Sequence, residues 1–429
     1  MRRWILLAAF AVLAACSKDK DIDKPAELVP VTASLKVDRA WTANIGTRKS
    51  VALRLGLGLA LDGGQIYAAG HKGDVGAWDL ATGHQIWRVR TKAQLAGGAG
   101  VGENMVVVGS SRGDVIALNR ADGKTLWRIR VNGEVLAPAA VSGRLVALRT
   151  VDGKLHGLSP KDGHELWVQE QQVPRLSLRG TARPVLIGDL ALCGFDNGKV
   201  VAVNINDGTV QWETTVAQPH GRTELERLVD IDSAVDVSGQ DVYAVAFQGR
   251  LAMLALDTGQ IWWAHDASSY RGLGLDQDAL YMAAANGEVT AMRKRTGAQL
   301  WSQKALLNRR LSSLSTMDAT NTIVVSDYQG YVHWLDKATG AIVARVRAGK
   351  TRISNPPIVS GNMVVVINDA GRISAYKVTP IRGAKAPQPV PAATEKDNIQ
   401  APDTGAAPAP GQAPAAPGAG GAPPPPEQN

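Results

Sequence analysis

Short apolar runs separated by glycine-containing turns recur along most of the chain. Eight glycines mark the repeat at intervals of about 40 residues: Gly73, Gly113, Gly153, Gly198, Gly249, Gly287, Gly330 and Gly371. Two positions after each glycine comes an aliphatic residue, from Val75 in the first repeat to Ile373 in the last. Apolar runs bounded by turn residues are typical of β-strands, and a repeat of this length is typical of a propeller blade.

A second glycine and a tryptophan complete the repeat. Ten residues after each of the first seven repeat glycines comes another glycine, preceded by Thr or Asp as in Thr82-Gly83. Fourteen residues after each of the first six comes a tryptophan: Trp87, Trp127, Trp167, Trp212, Trp263 and Trp301. Thr-Gly and Asp-Gly favour tight hairpin turns, because glycine adopts positive φ without strain. We predict four strands per repeat, with each tryptophan packed between neighbouring blades.

The two ends of the repeat array complement each other. The last repeat, at Gly371, lacks a tryptophan-bearing strand, whereas Trp41 has no repeat glycine before it. The pattern therefore predicts an all-β fold over residues 36–379. This fold is an eight-bladed β-propeller of four-stranded antiparallel blades, closed by the N-terminal strand so that no long sheet edge stays exposed. The seventh repeat departs from the pattern, with Ala344 in place of the tryptophan.

The first residues have the composition of a lipoprotein signal. Met1-Arg2-Arg3 and an apolar stretch precede the small residues that end at Cys16, which predicts a signal peptide over 1–15 and acylation of Cys16. The alternative is an ordinary signal peptide with an incidental cysteine. Ser17 favours sorting to the outer membrane, where the protein would face the periplasm. Residues 16–35 are predicted to be a flexible tether, and 380–429 a disordered tail rich in Pro, Ala and Gly.

Net charge and cysteine content narrow the range of functions. A formal charge of +8 would suggest nucleic acid for a cytosolic protein, but export removes that interpretation. Anionic lipid headgroups or acidic protein surfaces are the partners that remain. Cys193 is the one cysteine besides Cys16, so we expect no intramolecular disulfide and a buried thiol in the core.

Residues with catalytic potential do not form a recognisable constellation in the sequence. The seven histidines lack metal-binding spacing, and the glycine-rich run 97–102 is not followed by the lysine of a phosphate-binding loop. We interpret that run as an inner strand and turn. No catalytic residue, metal ligand or cofactor-binding residue is therefore predicted.

Two intervals of the repeat are longer than the others and indicate inserted loops. The first insertion contains Leu176, Leu178 and Arg179, and the second contains Asp230 and Asp232. Both follow a blade's tryptophan, so they are predicted to form one patch on neighbouring blades. The leucines could anchor a protein partner, with the charged residues bonding across the interface. Alternatively, the leucines point inward and Arg179 pairs with an aspartate of the same fold.

The repeat motif resembles that of quinoprotein propellers. The segment from Ala77 to Trp87, with Asp79, Thr82 and Gly83 between them, is similar to their tryptophan-docking motif. This resemblance implies, as one alternative, a dehydrogenase that uses pyrroloquinoline quinone (PQQ). Such enzymes typically carry two adjacent cysteines. This chain has no adjacent pair, because its two cysteines are Cys16 and Cys193. A propeller lipoprotein that binds cell-wall polysaccharide is a further alternative.

The lipobox, the repeats and the two insertions together resemble the BamB family, propeller lipoproteins of the outer-membrane β-barrel assembly machinery. The resemblance extends from Met1 to about Val378 and is most specific in Pro174-Arg175-Leu176-Ser177-Leu178-Arg179-Gly180 and in Arg227-Leu228-Val229-Asp230-Ile231-Asp232. It implies a non-enzymatic scaffold that docks on the periplasmic POTRA domains of BamA and aids assembly of outer-membrane proteins. Unfolded outer-membrane proteins are possible further partners. The residues that the resemblance places at the docking surface are Leu176, Leu178, Arg179, Asp230 and Asp232.

Overall fold

The computed structural model describes residues 24–46, 57–178, 180 and 182–390. Within these ranges the chain forms eight four-stranded antiparallel sheets, and the single helical element is a 3-10 turn at Asp318–Thr320. No helix among the described residues has the length and apolar character needed to cross a bilayer. The sheets are the blades of the predicted propeller, so the predicted fold class is confirmed.

The strands follow the repeats closely. The first strand of the chain, β1 (Leu35–Asn44), belongs to the last blade. Blades 1 to 4 contain β2 to β17: Ala60–Asp62, Gln65–Ala69, Asp74–Asp79, Gln85–Arg90; Leu95–Gly102, Met105–Ser110, Asp114–Asn119, Thr125–Arg130; Ala140–Val141, Val146–Arg149, Lys154–Leu158, Glu165–Glu170; Val185–Ile187, Leu190–Gly194, Lys199–Asn204, Val210–Thr215. Blades 5 to 8 contain β18 to β32: Asp236–Ser238, Asp241–Val245, Gly249–Ala255, Ile261–Ala267; Gly274–Leu275, Ala279–Ala283, Val289–Arg293, Gln299–Gln303; Ser315–Met317, Thr322–Ser326, Tyr331–Asp336, Ile342–Arg347; Ile358–Ser360, Met363–Ile367, Arg372–Pro380.

The burial of each strand follows its place in the blade. Second and third strands are buried along most of their length, as in β7, because neighbouring blades cover both faces of the sheet. First strands line the central channel. Fourth strands lie outermost and alternate between exposed and buried positions, as in β9. The apolar runs and the alternating strands of the sequence therefore correspond to different radial positions in the ring.

Each recurrent tryptophan joins one blade to the next. The indole N–H of Trp127 donates to Pro160 O at 2.8 Å, and its ring lies against Gly163 of the following blade. The same arrangement recurs at Trp41, Trp87, Trp167, Trp212, Trp263 and Trp301. Gly163 has φ +78°, and a Cβ atom there would lie 2.6 Å from the ring of Trp127. Glycine is thus needed both for the positive φ of the turn and for the close approach of the indole ring. The predicted packing of the tryptophans between neighbouring blades is confirmed.

The ring is closed by pairing between the two ends of the propeller, as predicted. β1 runs antiparallel to β32 from Leu35↔Pro380 to Asn44↔Arg372, with an irregularity between Arg39 and Trp41. Blade 8 therefore has no covalent turn between its third and fourth strands. A tryptophan at position 344 would have no turn glycine to dock on, which explains Ala344.

The tether predicted to be flexible is bound over its described part: residues 24–34 attach to blade 7 and to the connection before it, and Leu35 begins β1. Ala26 N–H donates to Leu307 O at 2.9 Å, and Ser34 N–H donates to Val343 O at 3.0 Å. The Arg309 and Arg345 guanidinium groups donate to Ala26 O at 2.9 Å and to Val29 O at 2.8 Å. We call residues 24–34 the strap. The signal peptide 1–15, Cys16 and the tail beyond residue 390 lie outside the described residues.

Two smaller expectations also hold. The glycine-rich run lies in β6, the innermost strand of blade 2, where a Cβ atom on Gly100 would lie 2.1 Å from Ala139 O of the next blade. Cys193 is fully buried in β15, and burial raises the pKa of its thiol to about 12. The thiol is therefore a neutral core group at physiological pH.

Candidate functional site

The two inserted loops lie on one face of the propeller. Because strands alternate in direction, the connections between blades share a face with the loops between second and third strands. We call this the connection face. The first insertion connects β13 to β14 and the second connects β17 to β18, so they follow blades 3 and 4.

The structure brings the two loops into direct contact. Leu178 N–H donates a hydrogen bond to the Asp230 carboxylate. Next to it, a Cβ atom on Gly180 would lie 2.3 Å from Asp232 Oδ2, so only glycine permits this approach. Leu178, Asp230 and Asp232 therefore lie together in one patch across the blade 4 connections. Arg179 lies outside the described residues.

Both loops carry exposed apolar side chains. Leu176 is 41% exposed and Val173 37% exposed in the first loop, and Leu225 is 65% exposed in the second. Leu178 is half-buried. We call Val173, Leu176, Leu178 and Leu225 the loop patch. Large apolar side chains that stay exposed on loops are candidates for contact with a protein partner.

The two aspartates differ in exposure. Asp230 is fully buried, whereas Asp232 is half-buried. Burial raises the pKa of Asp230 to about 7; the hydrogen bond from Leu178 opposes this shift, and the nearby carboxylates of Asp232 and Asp196 add to it. Asp230 thus acts from inside the protein, where it holds the backbone of the first loop.

An ion pair beneath the loops escaped the sequence analysis. The Arg149 guanidinium donates to Gly194 O at 2.8 Å and to the Asp196 carboxylate, and both side chains are almost completely buried. Arg149 also lies 4.7 Å over the ring of Phe195. Arg149 ends β11 in blade 3 and Asp196 follows β15 in blade 4, so the pair joins the two blades that flank the first loop.

The repeat alignment gives no clear signal for this pair. Three residues before the repeat glycine, some blades place a polar side chain that accepts backbone N–H groups of the turn, as do Ser110, Asp327 and Asn368. Blade 4 has Phe195 at this position, and blades 1, 5 and 6 also have apolar residues or glycine there. The position of Asp196 directly after Phe195 therefore does not distinguish it in the sequence.

The carboxylates of Asp196, Asp230 and Asp232 lie close together. Their oxygen atoms fall within 4.8 Å of one another. The guanidinium of Arg149 already supplies a positive charge to this cluster through Asp196. The described part of the cluster therefore combines three carboxylates with one buried guanidinium group.

The central channel is lined mainly by aliphatic residues of the first strands. A cavity of about 420 Å³ lies between Leu61, Val101, Leu275 and Ile358, and Arg183 reaches into it. Burial lowers the pKa of Arg183. None of the described lining residues is acidic.

Related proteins share the whole length of the propeller. The family model described as "Outer membrane protein assembly factor BamB" matches residues 38–96, 71–303 and 285–380. A protein of that name from Pseudomonas aeruginosa is 46% identical over 374 residues, which are 87% of this chain and 98% of that protein. Another from Alkalilimnicola ehrlichii is 43% identical, over 88% of this chain and 97% of that protein.

Solved structures agree with this assignment. The crystal structure of BamB from Moraxella catarrhalis has a TM-score of 0.73 and 27% identity, covering 80% of this chain and all of that one. A quinohemoprotein alcohol dehydrogenase from Comamonas testosteroni has a TM-score of 0.64 at 13% identity, covering 83% of this chain and 78% of that one. At that identity the dehydrogenase shares the fold alone. The extent and level of these matches show that the chain belongs to the BamB family of outer membrane protein assembly factors.

Proposed function

We propose that the protein is a non-enzymatic scaffold of the outer-membrane β-barrel assembly complex that docks on the periplasmic POTRA region of a BamA-like protein. The observation that carries the proposal is the Leu178–Asp230 contact, which joins the two inserted loops into one surface. The names of the relatives, outer membrane protein assembly factors, give the process in which this surface would act.

The roles of the site residues follow from their burial. Leu176 and Leu178 supply apolar contact to the partner, since apolar anchors contribute most when a partner excludes water from them. Asp230 positions Leu178 by accepting its N–H group from within the fold. Asp232 and Arg179 supply the charged part of the surface. The buried Arg149–Asp196 pair keeps blades 3 and 4 in fixed register below it.

The membrane attachment in this proposal is an acyl group on Cys16. Acylation would hold the protein at the outer membrane with the propeller in the periplasm, and more than one acyl chain gives stable anchoring. A Cys16→Ala variant is expected to lose the mass of the acyl groups and to leave the membrane fraction. Full membrane retention of an unacylated variant would contradict the anchor.

The docking surface is tested by measuring the affinity of the unlipidated chain for the soluble periplasmic region of the BamA-like protein. A Leu176→Ala/Leu178→Ala double variant is expected to bind about tenfold more weakly or worse, because both anchors are lost. The matched control is Leu126→Ala/Leu300→Ala, which removes two leucines of similar exposure on blades 2 and 6. Equal binding by the double variant and the control would refute the site.

A second pair of variants separates positioning from contact. Asp230→Ala removes the acceptor of the Leu178 N–H group and should weaken binding. Asp230→Asn keeps a carbonyl acceptor at the same place and should restore most of the affinity. If both variants bind like the wild type, Asp230 does not position the loop.

A further inference from the structure

Exposed basic side chains follow the connection face around half of the ring. They run from blade 7 through blades 8 and 1 to blade 2, away from the inserted loops. We call the following six residues the basic arc: Arg347, Lys350, Arg372, Lys72, Arg90 and Arg112. All six are exposed, and each lies in or beside a connection or loop on this face.

Three acidic side chains of the same sector are half-buried and bonded to residues outside the arc. Asp74 pairs with Arg88 at 3.3 Å and Asp114 pairs with Arg128 at 2.9 Å, with the two carboxylates 24% and 19% exposed. Asp369 accepts a hydrogen bond from Ser354 at 2.6 Å. These three carboxylates therefore do not pair with members of the basic arc.

The opposite face has a different charge pattern. Its turns between third and fourth strands carry aspartates such as Asp79, Asp162 and Asp336, each of which accepts hydrogen bonds from its own turn. These aspartates distinguish the opposite face from the basic arc, although exposed basic residues such as Lys161 and Arg293 also lie there. A group of exposed basic side chains on one face attracts that face to a negatively charged surface.

The strap starts on the connection face. Lys24 O accepts a hydrogen bond from Asn308 Nδ2 at 3.4 Å, and Ala26 is bonded to Leu307 and Arg309. These three partners lie in the connection between blades 6 and 7. Seven residues separate Lys24 from Cys16, so the two residues lie at most about 29 Å apart along an extended chain. An acyl anchor on Cys16 would therefore keep this face close to the membrane.

We propose that the basic arc is a membrane-binding surface that recognises the phosphate groups of anionic lipids. The orientation in this inference rests on the proposed acyl anchor, whereas the charge of the arc does not. Basic side chains near an anionic bilayer are attracted within a Debye length of its surface. The loop patch lies on the same face but on the other half of the ring, across blades 3 to 5, so the arc and the loop patch share no residue.

The test is co-sedimentation of the unlipidated chain from Ser17 onward with vesicles. This chain keeps every described residue, including the closing strand. It should bind vesicles of phosphatidylcholine and phosphatidylglycerol and should not bind phosphatidylcholine alone. Raising the salt concentration from about 0.1 M to about 1 M should abolish binding, because the Debye length falls from about 10 Å to about 3 Å.

Charge reversal locates the surface. A Lys72→Glu/Arg90→Glu/Lys350→Glu variant should partition at least about tenfold more weakly onto the anionic vesicles. The matched control, Lys161→Glu/Arg293→Glu/Lys377→Glu, makes the same charge change at exposed positions on the opposite side of the blades and should bind like the wild type.

Two outcomes would overturn the inference. One is wild-type binding that is equal for anionic and neutral vesicles, and the other is an equal loss in the arc variant and its control. If the arc variant instead loses affinity only for an acidic protein surface, the arc is a protein interface. The assay contains no acyl group and no assembly protein, so its failure leaves the proposed anchor and docking site standing.

Discussion

The interface between blades 7 and 8 lies next to the closing strand β1, and we call it the closing junction. It is built differently from the regular junctions of the ring. Between blades 2 and 3, Trp127 lies on Gly163 and its indole donates to Pro160 O. Between blades 7 and 8, Ala344 occupies the tryptophan position, and blade 8 has no turn on which a tryptophan could dock. Whether a blade carries the tryptophan thus depends on whether the next blade has a turn between its third and fourth strands to contact it.

The outer strands show the same contrast. The residue before the tryptophan position is 47% exposed in blade 2, at Leu126, and 46% exposed in blade 6, at Leu300. In blade 7 the equivalent Val343 is 3% exposed, because the strap and β1 cover this strand. The strap and β1 therefore cover the part of blade 7 that an indole and the turn of the next blade cover at the regular junctions.

The largest effect should come from breaking a regular junction. Trp127→Ala removes a nearly buried side chain together with its hydrogen bond to Pro160 O. The expected loss is about 3–5 kcal/mol in the free energy of unfolding, from lost burial and the resulting cavity. Denaturant titration followed by circular dichroism measures it. A loss below about 1 kcal/mol would mean that the indole does not hold the blades together.

The receiving glycine should be nearly as sensitive. Gly163→Ala combines a strained positive φ with a clash against Trp127, and should cost about 3 kcal/mol. Gly361→Ala is the matched control, because Gly361 also has positive φ (+55°) but has no atom within 4 Å of the added Cβ. That control should cost about 1 kcal/mol. Equal costs at the two sites would show that only the backbone conformation matters.

Restoring the repeat pattern at the closing junction should be harmful. Ala344→Trp puts a large ring into a site where Ala344 is 2% exposed and packs with Leu35 and Tyr376. Overpacking of this kind costs about 1–3 kcal/mol. The change in the midpoint of urea unfolding measures it. A stabilised Ala344→Trp protein would contradict the explanation that the missing turn excludes tryptophan.

The smallest expected effect is a pH dependence limited to the closing junction. His333 is fully buried, donates toward Asp327 and accepts the Nε–H of Arg345, which also binds the strap. Burial lowers the pKa of His333; Asp327 opposes this shift, and Arg345 and Arg309 add to it. Tyr331 is the other titratable group beside the ring.

The folded state therefore binds fewer protons at His333 than the unfolded state as the pH falls. The contribution of His333 to stability is complete above its unfolded pKa of about 6.5 and decreases below it. A His333→Gln variant should lose less stability than the wild type between neutral pH and about pH 5, as measured by thermal unfolding. Identical pH profiles would show that His333 does not carry this dependence.

Periodicity made the fold readable from the sequence. The glycine and tryptophan spacing predicted eight blades and the closure at Trp41, because each blade must satisfy the same junction geometry. The binding of the strap was not predicted, since residues 24–34 attach largely through backbone carbonyls such as Ala26 O and Val29 O. Backbone acceptors leave no pattern in the side-chain sequence.

The candidate site was predictable in position and less so in detail. The two long intervals located the loops, and the structure places Leu178 against Asp230. The complete burial of Asp230 and the pair between Arg149 and Asp196 depend on contacts between blades, which spacing within a repeat does not specify.

Closure by β1 also sets the order in which the chain can fold. Leu35 is among the first propeller residues to be synthesised and Pro380 among the last, yet they pair directly. Contacts between residues so distant in sequence form late, because the entropy of the intervening chain opposes them. Until β32 is available, β1 and the edge of blade 8 remain unpaired strand edges, which are prone to aggregate. A chain of this design therefore depends most on chaperones just before its last blade is complete.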